Sequence, residues 1–274
     1  MATKKPASSA KKSTTKKTSS TKVTTVKAVS AKKPASTLFG LKLTRSPKLG
    51  AAVAEFVGTF LLAAAVIAGQ GQPIIVLFAL VGIVLVVGSL SGAYVNPALT
   101  IGAWVTRKIS GIRALIYIVA QVLGAMLALV VLNAFVNAAP EPTGQAALYG
   151  QTVSLFKAAA IPEAHQWVVF FAELLGTAIF GLAVASVVGQ RDRVRGAFTV
   201  GIGLFLGLLI AGSGAAAVGA TTILNPAVAV ALQAVNFDTI WPFAAYLFAA
   251  TLGAVIGFIL NDLLVVESDG GREA

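Results

Sequence analysis

The chain has 274 residues, 57% of them hydrophobic and 11% charged, with a mean hydropathy of +0.87. Soluble domains carry roughly 25% charged residues, so a globular cytoplasmic enzyme is excluded; the absence of cysteine also excludes a disulfide scaffold, thiolate metal sites and cysteine nucleophiles. The net charge of +11 is local: residues 1–48 hold 13 of the 21 Lys and Arg and no acidic residue, leaving eight basic against ten acidic residues, a net of −2, elsewhere.

In chain order, residues 1–37 repeat Lys, Ser, Thr and Ala, with few large apolar side chains before Leu38 and Phe39. Such a segment cannot offset the entropy of ordering, so residues 1–48 read as a disordered, Lys-rich cytoplasmic tail. It lacks the apolar core of a signal peptide. Three readings of the tail compete. Its lysines suit anionic lipid headgroups, each being worth about 1 kcal/mol near the surface. The repeats also look like a linker-histone tail, which makes nucleic acid a second partner class. An organelle transit peptide is the third, but such peptides favour Arg and the tail has none before Arg45.

Six long apolar segments follow, near 49–68, 74–90, 112–133, 166–188, 196–212 and 239–262. Each falls within the ~17–25 residues of a membrane-crossing helix. Two short segments, 96–105 and 225–234, would make helices of about 15 Å, which reach only the middle of a ~30 Å hydrocarbon core. They can enter and return but not cross. Lys and Arg counts orient the chain. With the N-terminus inside, the cytoplasmic side takes the tail, Arg107, Lys108, Arg113, Arg191, Arg193, Arg195 and Arg272, and the far side only Lys157. Both termini are then cytoplasmic, residues 263–274 being a short C-terminal extension.

The chain also repeats itself. Ala54-Glu55-Phe56-Val57-Gly58-Thr59 returns as Ala172-Glu173-Leu174-Leu175-Gly176-Thr177; Asn96-Pro97-Ala98 returns as Asn225-Pro226-Ala227; Leu123-Gly124-Ala125 returns as Leu252-Gly253-Ala254. With three spans per half (residues 49–133 and 166–262), the second half enters from the opposite face, an inverted repeat. The expected fold is an all-α membrane protein with six spans and two re-entrant half-helices in one domain, 49–262.

Asn is a preferred helix N-cap and Pro suits the first helical position, so each Asn-Pro-Ala starts a short helix. Two starts facing each other put two positive dipole ends at mid-membrane, and the Asn amides add donors. Such a conduit repels cations and orients water from one side, which breaks a proton-conducting chain. The stretches before each Asn, 91–95 and 219–224, can supply carbonyl acceptors. Glu55 and Glu173 are costly inside a membrane and are functional candidates for that reason. Gly203-x-x-x-Gly207 and Gly253-x-x-x-Gly257 permit close helix packing. His165 reads as a polar residue at an outer helix end rather than a metal ligand.

The paired boxes, with Ser91-Gly92-Ala93-Tyr94-Val95-Asn96-Pro97-Ala98-Leu99-Thr100 and the two Glu-x-x-Gly-Thr sequences, resemble those of the major intrinsic proteins, the aquaporins and glycerol facilitators, over residues 49–262. The resemblance implies a passive channel in the cell membrane, and Val76 with Val228 at its filter points to water plus small neutral solutes such as glycerol, urea or ammonia as its permeants. It implies one pore per subunit, a homotetramer, no cofactor and no enzymatic activity. Glu55 and Glu173 would then accept hydrogen bonds from the loops. Most aquaporins have Arg after the second Asn-Pro-Ala, whereas this chain has Val228, as some plant tonoplast-type members do; Tyr94 stands where many have His. Counting back places Val76 at the constriction on the second span. An apparent two-residue insertion leaves the fifth-span residue anywhere from Ile210 to Ser213 and the loop residue as Ala220 or Thr222. An ion-coupled transporter built on inverted repeats is the competing reading, with Glu55 and Glu173 as its coupling groups.

Overall fold

A computed structural model of the protein describes residues 46–140, 143–148 and 154–265, and two short strands before them. The chain divides at Thr44 into two units. In the first, β1 (Thr37–Leu38) and β2 (Leu41–Lys42) pair antiparallel, Thr37 opposite Lys42 and Leu38 opposite Leu41. The tail expected to be disordered lies, over residues 1–36, outside the described residues, and so does the C-terminal stretch 266–274.

The second unit is helical. It runs through α1 (Pro47–Ala68), α2 (Pro73–Ser91), the short α3 (Pro97–Val105), α4 (Gly111–Ala138) and one turn, α5 (Gln145–Leu148). α6 (Gln166–Ala185), α7 (Arg193–Ala217) and the short α8 (Pro226–Ala231) follow. The last span is continuous from Trp241 to Leu264: α9 (Trp241–Phe243), a π-helical stretch at Ala244–Ala249, and α10 (Ala250–Leu264). Among the described residues six helices are long and apolar enough to cross a membrane, and the two Asn-Pro-Ala helices are not among them. α4 runs beyond residue 133 because nothing breaks it before Pro140, and α7 runs beyond 212 through the strong helix formers Ala215, Ala216 and Ala217. α8 stops short of 234, with Gln233 in the left-handed region at φ +57°.

Small residues crowd the inward faces of α4 and α7, whereas α2 buries Val76, Leu77, Leu80, Val81, Ile83 and Val87. α1 buries Ala51, Ala54, Gly58 and Ala63 together with Leu62, Val66 and Ile67, while Leu49, Val53 and Leu61 stay exposed on its outer face. Between helices in lipid there is little hydrophobic driving force, so close backbone approach supplies the attraction. The repeat is visible in these approaches. A Cβ on Gly124 of α4 would overlap the Phe56 carbonyl of α1, and a Cβ on Gly253 of α10 would overlap the Leu174 carbonyl of α6. Gly257 meets the Ala178 carbonyl in the same way, and Gly207 lies against the Gly176 carbonyl. We expect Gly124→Ala and Gly253→Ala each to cost about 1–3 kcal/mol of stability, as overpacking does. Gly82, with nothing within 4 Å of its Cβ position, is the control. Heating the purified protein in detergent and following the monodisperse fraction should separate the two glycines from Gly82→Ala; equal curves would refute the tight approach.

Tryptophans mark the two ends of the bundle, as interfacial aromatics do. Trp167 and Trp241 meet edge to face at 5.0 Å where α6 and α9 begin, and half-exposed Trp104 lies at the other end.

Candidate functional site

The two short helices start head to head in the middle of the bundle. Asn96 caps α3 with extended backbone, its Oδ1 accepting from Ala98 N at 2.9 Å, and Pro97 fills the first helical position. Asn225 does the same for α8, accepting from Ala227 N at 3.0 Å, with Pro226 next. Their amide nitrogens then cross over. Asn96 Nδ2 donates to the Leu224 carbonyl at 2.8 Å, and Asn225 Nδ2 donates to the Val95 carbonyl at 2.9 Å. Each asparagine is thus tied to the residue preceding the other, and both are buried.

That exchange needs carbonyls turned the unusual way. Val95 and Leu224 have φ of +43° and +59°, and Ala93 has +50°. A β-branched residue in this region is a marked outlier, costing about 1–3 kcal/mol unless its surroundings hold it. The two buried glutamates supply the hold. Glu55 accepts from Tyr94 N at 3.0 Å and Val95 N at 2.7 Å; Glu173 accepts from Ile223 N at 2.6 Å and Leu224 N at 2.9 Å. The rest of the Glu-x-x-Gly-Thr box is explained by the same loops. A Cβ on Gly58 would lie 2.6 Å from the Val95 side chain, and one on Gly176 2.6 Å from that of Leu224. Thr59 and Thr177 donate back to the carbonyls of Glu55 and Glu173.

Three supporting residues escape a reading of the motifs alone. Tyr117 donates to the Ser91 carbonyl and Tyr246, in the π-helical stretch, to the Thr221 carbonyl, both at 3.0 Å. These tyrosines are separated by the same interval as the Asn-Pro-Ala boxes, a signal that was available in the repeat. Gln121 has no such twin: its Nε2 donates to Glu55 at 2.7 Å and to Thr100 at 2.9 Å, and the positions matching Gln121 and Thr100 in the second half are Ala250 and Ala229. The first half therefore backs its loop carboxylate with a Gln121–Thr100 side-chain network that the second half lacks.

A cavity lies on each side of the crossing. One, about 60 Å³, is lined by Val76, Val228, Thr222 and Asn225, together with Phe180, Leu204, Leu208 and Phe156. The other, about 320 Å³, is bounded by Tyr94, Ser89, Arg191, Asp192 and Arg193. Val76, Val228 and Thr222 are therefore brought together, and the Thr222 hydroxyl oxygen is buried with no hydrogen-bond partner among the described residues. Three sequence candidates are not. Ile210 is 47% exposed on the outside of α7, Ser213 is exposed and donates to the Ile210 carbonyl, and Ala220 is buried without lining the cavity. α7 contributes Leu204 and Leu208 instead. Ile210 and Ser213 miss because helical spacing turns them away from the face that carries Leu204, Leu208 and Ala211.

Phe156 comes from the segment between α5 and α6, where neither hydropathy nor the repeat marks it. Its ring rests on Gly71, at φ +68°, where a Cβ would come within 2.8 Å. The segment is tied down by Ala158 N donating to the Leu232 carbonyl at 3.1 Å and Ala159 N to Thr221 Oγ1 at 2.9 Å. His165 is exposed, and no cluster of three metal-ligating residues occurs among the described residues.

Comparison with known proteins agrees with this architecture. The profile of the family described as Major intrinsic protein matches residues 42–261. Aquaporin AqpM of Methanothermobacter marburgensis is 29% identical over 49% of this chain and 50% of its own, so the chain spans about half the length of that relative. Aquaporin NIP3-1 of Oryza sativa is 33% identical over 85% of this chain and 72% of its own. The X-ray structure of the aquaglyceroporin from Plasmodium falciparum superimposes with a TM-score of 0.60 at 22% identity, covering 80% of this chain and 97% of that one, which is a likeness of fold.

Proposed function

Because the chain belongs to the major intrinsic protein family and is an integral membrane protein, we propose that it is a passive channel, not an enzyme, passing water and small uncharged solutes between the two cavities by way of the crossed asparagines. The crossed amide bonds carry this reading. An amide has two N–H donors; each asparagine uses one on the opposite loop and keeps one for a permeant. A water at the crossing accepts from both, so its own hydrogens point away along the file and the proton wire is interrupted. The positive ends of α3 and α8 add to the barrier for cations.

The cavity beside Val228 sets what passes. Without a guanidinium, its lining is mostly apolar, with Thr221, Thr222 and Asn225 as the polar side chains, a combination that suits a permeant with both carbon and hydroxyl surface. Glycerol, urea and ammonia are therefore proposed as solutes alongside water. Relatives whose names are aquaporin or glycerol uptake facilitator support the class. Further proposals are a homotetramer with one pore per subunit, residence in the cell membrane, and both termini in the cytoplasm. The tail would then face anionic lipid or nucleic acid. Ion coupling is not favoured, since the main-chain donors of the two loops engage both Glu55 and Glu173.

Stopped-flow light scattering on proteoliposomes tests the function. Wild type should pass water and glycerol with no dependence on a proton or sodium gradient, and Val228→Arg should lose glycerol while keeping water. Passage of water but of none of the three solutes would refute the broad filter; gradient-driven uptake would refute the channel.

A further inference from the structure

Four cations crowd the end of the bundle where α1 and α4 begin. Lys48 lies in the first turn of α1, Arg113 in the first turn of α4, and Arg107 and Lys108 in the turn joining α3 to α4. Lys108 is committed, its Nζ 2.8 Å from Asp262 Oδ1. Among the described residues, no carboxylate lies within ion-pair distance of Lys48, Arg107 or Arg113.

Two cavities meet here and share Ser110 and Arg113. The narrower, about 120 Å³, lies between Lys48 and Arg113. The broader, about 520 Å³, opens beside it over Arg107 and Trp104. Trp104 sets the level of the membrane boundary. Its indole packs beside Gly111, where a Cβ would lie 3.1 Å from Nε1. Below the cations, α4 presents Ile112, 72% exposed, and then Ile116, which also borders the narrower cavity. Ser110 accepts from Arg113 N, so its hydroxyl hydrogen is available for donation.

Cations at the level of the headgroups, a hydroxyl between them and an aliphatic face below match a phosphate carrying acyl chains. We propose that this patch binds an anionic phospholipid, the phosphate held by Lys48, Arg113 and Ser110 and an acyl chain lying along Ile112 and Ile116. A guanidinium can grip two phosphate oxygens at once, and basic pockets between spans are suited to acidic headgroups. A soluble phosphate ester shares the head chemistry but gains nothing from the isoleucines. The proposal is independent of what the channel conducts.

Native mass spectrometry of the full-length protein, released from micelles doped with phosphatidylglycerol or phosphatidylcholine, tests it. Wild type should retain phosphatidylglycerol in preference to phosphatidylcholine. Lys48→Ala combined with Arg113→Ala should weaken that retention roughly thirtyfold, the factor for two cations at the surface. Arg195→Ala, which removes an exposed cation on α7, should leave it unchanged, and Arg113→Lys should keep most of it. The Lys-rich tail is common to all of these proteins and cancels between them. Equal retention in every variant, or no preference in wild type, overturns the site; displacement of the lipid by soluble glycerol phosphate overturns its assignment to lipid. Should the double variant fail to fold, Arg113→Gln alone and the glycerol phosphate competition still decide.

Discussion

Phe156→Ala should raise glycerol permeability about tenfold while changing water permeability little, which corresponds to lowering the barrier for the larger solute by about 1.4 kcal/mol. The ring lines the same cavity as Val76, Val228 and Thr222 and is fixed from behind by Gly71. Its segment cannot readily swing away, because two main-chain donors hold it to the Leu232 carbonyl and the Thr221 hydroxyl. The loop aromatic thus supplies bulk to the wall of that cavity, and removing it leaves more room for a three-carbon solute. Stopped-flow measurement of both permeabilities on the same vesicles gives the ratio. Phe156→Leu should fall between wild type and Phe156→Ala. A glycerol-to-water ratio unchanged in Phe156→Ala would show that the ring stands aside from the constriction. Gly71→Ala offers a second approach, because the added methyl must push the ring into the cavity or expel it.

Glu173→Ala should be strongly destabilising although it touches no lipid-facing surface. It leaves Ile223 N–H and Leu224 N–H without their acceptors at a buried site, each loss costing about 1–3 kcal/mol. It also frees Leu224 from the left-handed conformation that the carboxylate holds, and with it the carbonyl on which Asn96 depends. Glu173→Gln, with one acceptor oxygen instead of two, should lose about half as much. Purified variants compared by thermal unfolding in detergent should order as wild type, Gln, then Ala, separated by several degrees. If Glu173→Ala unfolds with wild type, the carboxylate does not hold the loop. At Glu55 the Ala substitution should additionally strand the Gln121 amide, which in the first half donates to the carboxylate.

The spans were legible because every one is an apolar run of membrane-crossing length, and the half-helices because Asn followed by Pro is a helix start wherever it occurs. The repeat made the head-to-head meeting of those starts readable before any coordinates. What could not be read depends on angle rather than order. Whether Leu208 or Ile210 faces the cavity is a difference of two residues, about 200° around a helix of 3.6 residues per turn, and an insertion in the following loop obscures the register. Phe156 lies in a segment without periodicity, and its position follows from hydrogen bonds to Leu232 and Thr221 that no local pattern announces. Gln121 lies in no motif, and no counterpart in the second half points to its role, since the matching position is Ala250.

The crossed asparagines also constrain how the protein is made. Asn96 and Leu224 are 128 positions apart, and Val95 and Asn225 are 130 apart. Synthesis proceeds from the N-terminus at ~5–20 residues per second, so the first Asn-Pro-Ala emerges on the order of ten seconds before its partner. Throughout that interval the Val95 carbonyl and one Asn96 donor lack the groups that satisfy them in the finished bundle. A nascent chain halted between the repeats would hold its first loop wet and protease-sensitive, however well its three spans had inserted. One half of the molecule's centre is thus synthesised early and waits, unsatisfied, for the other half.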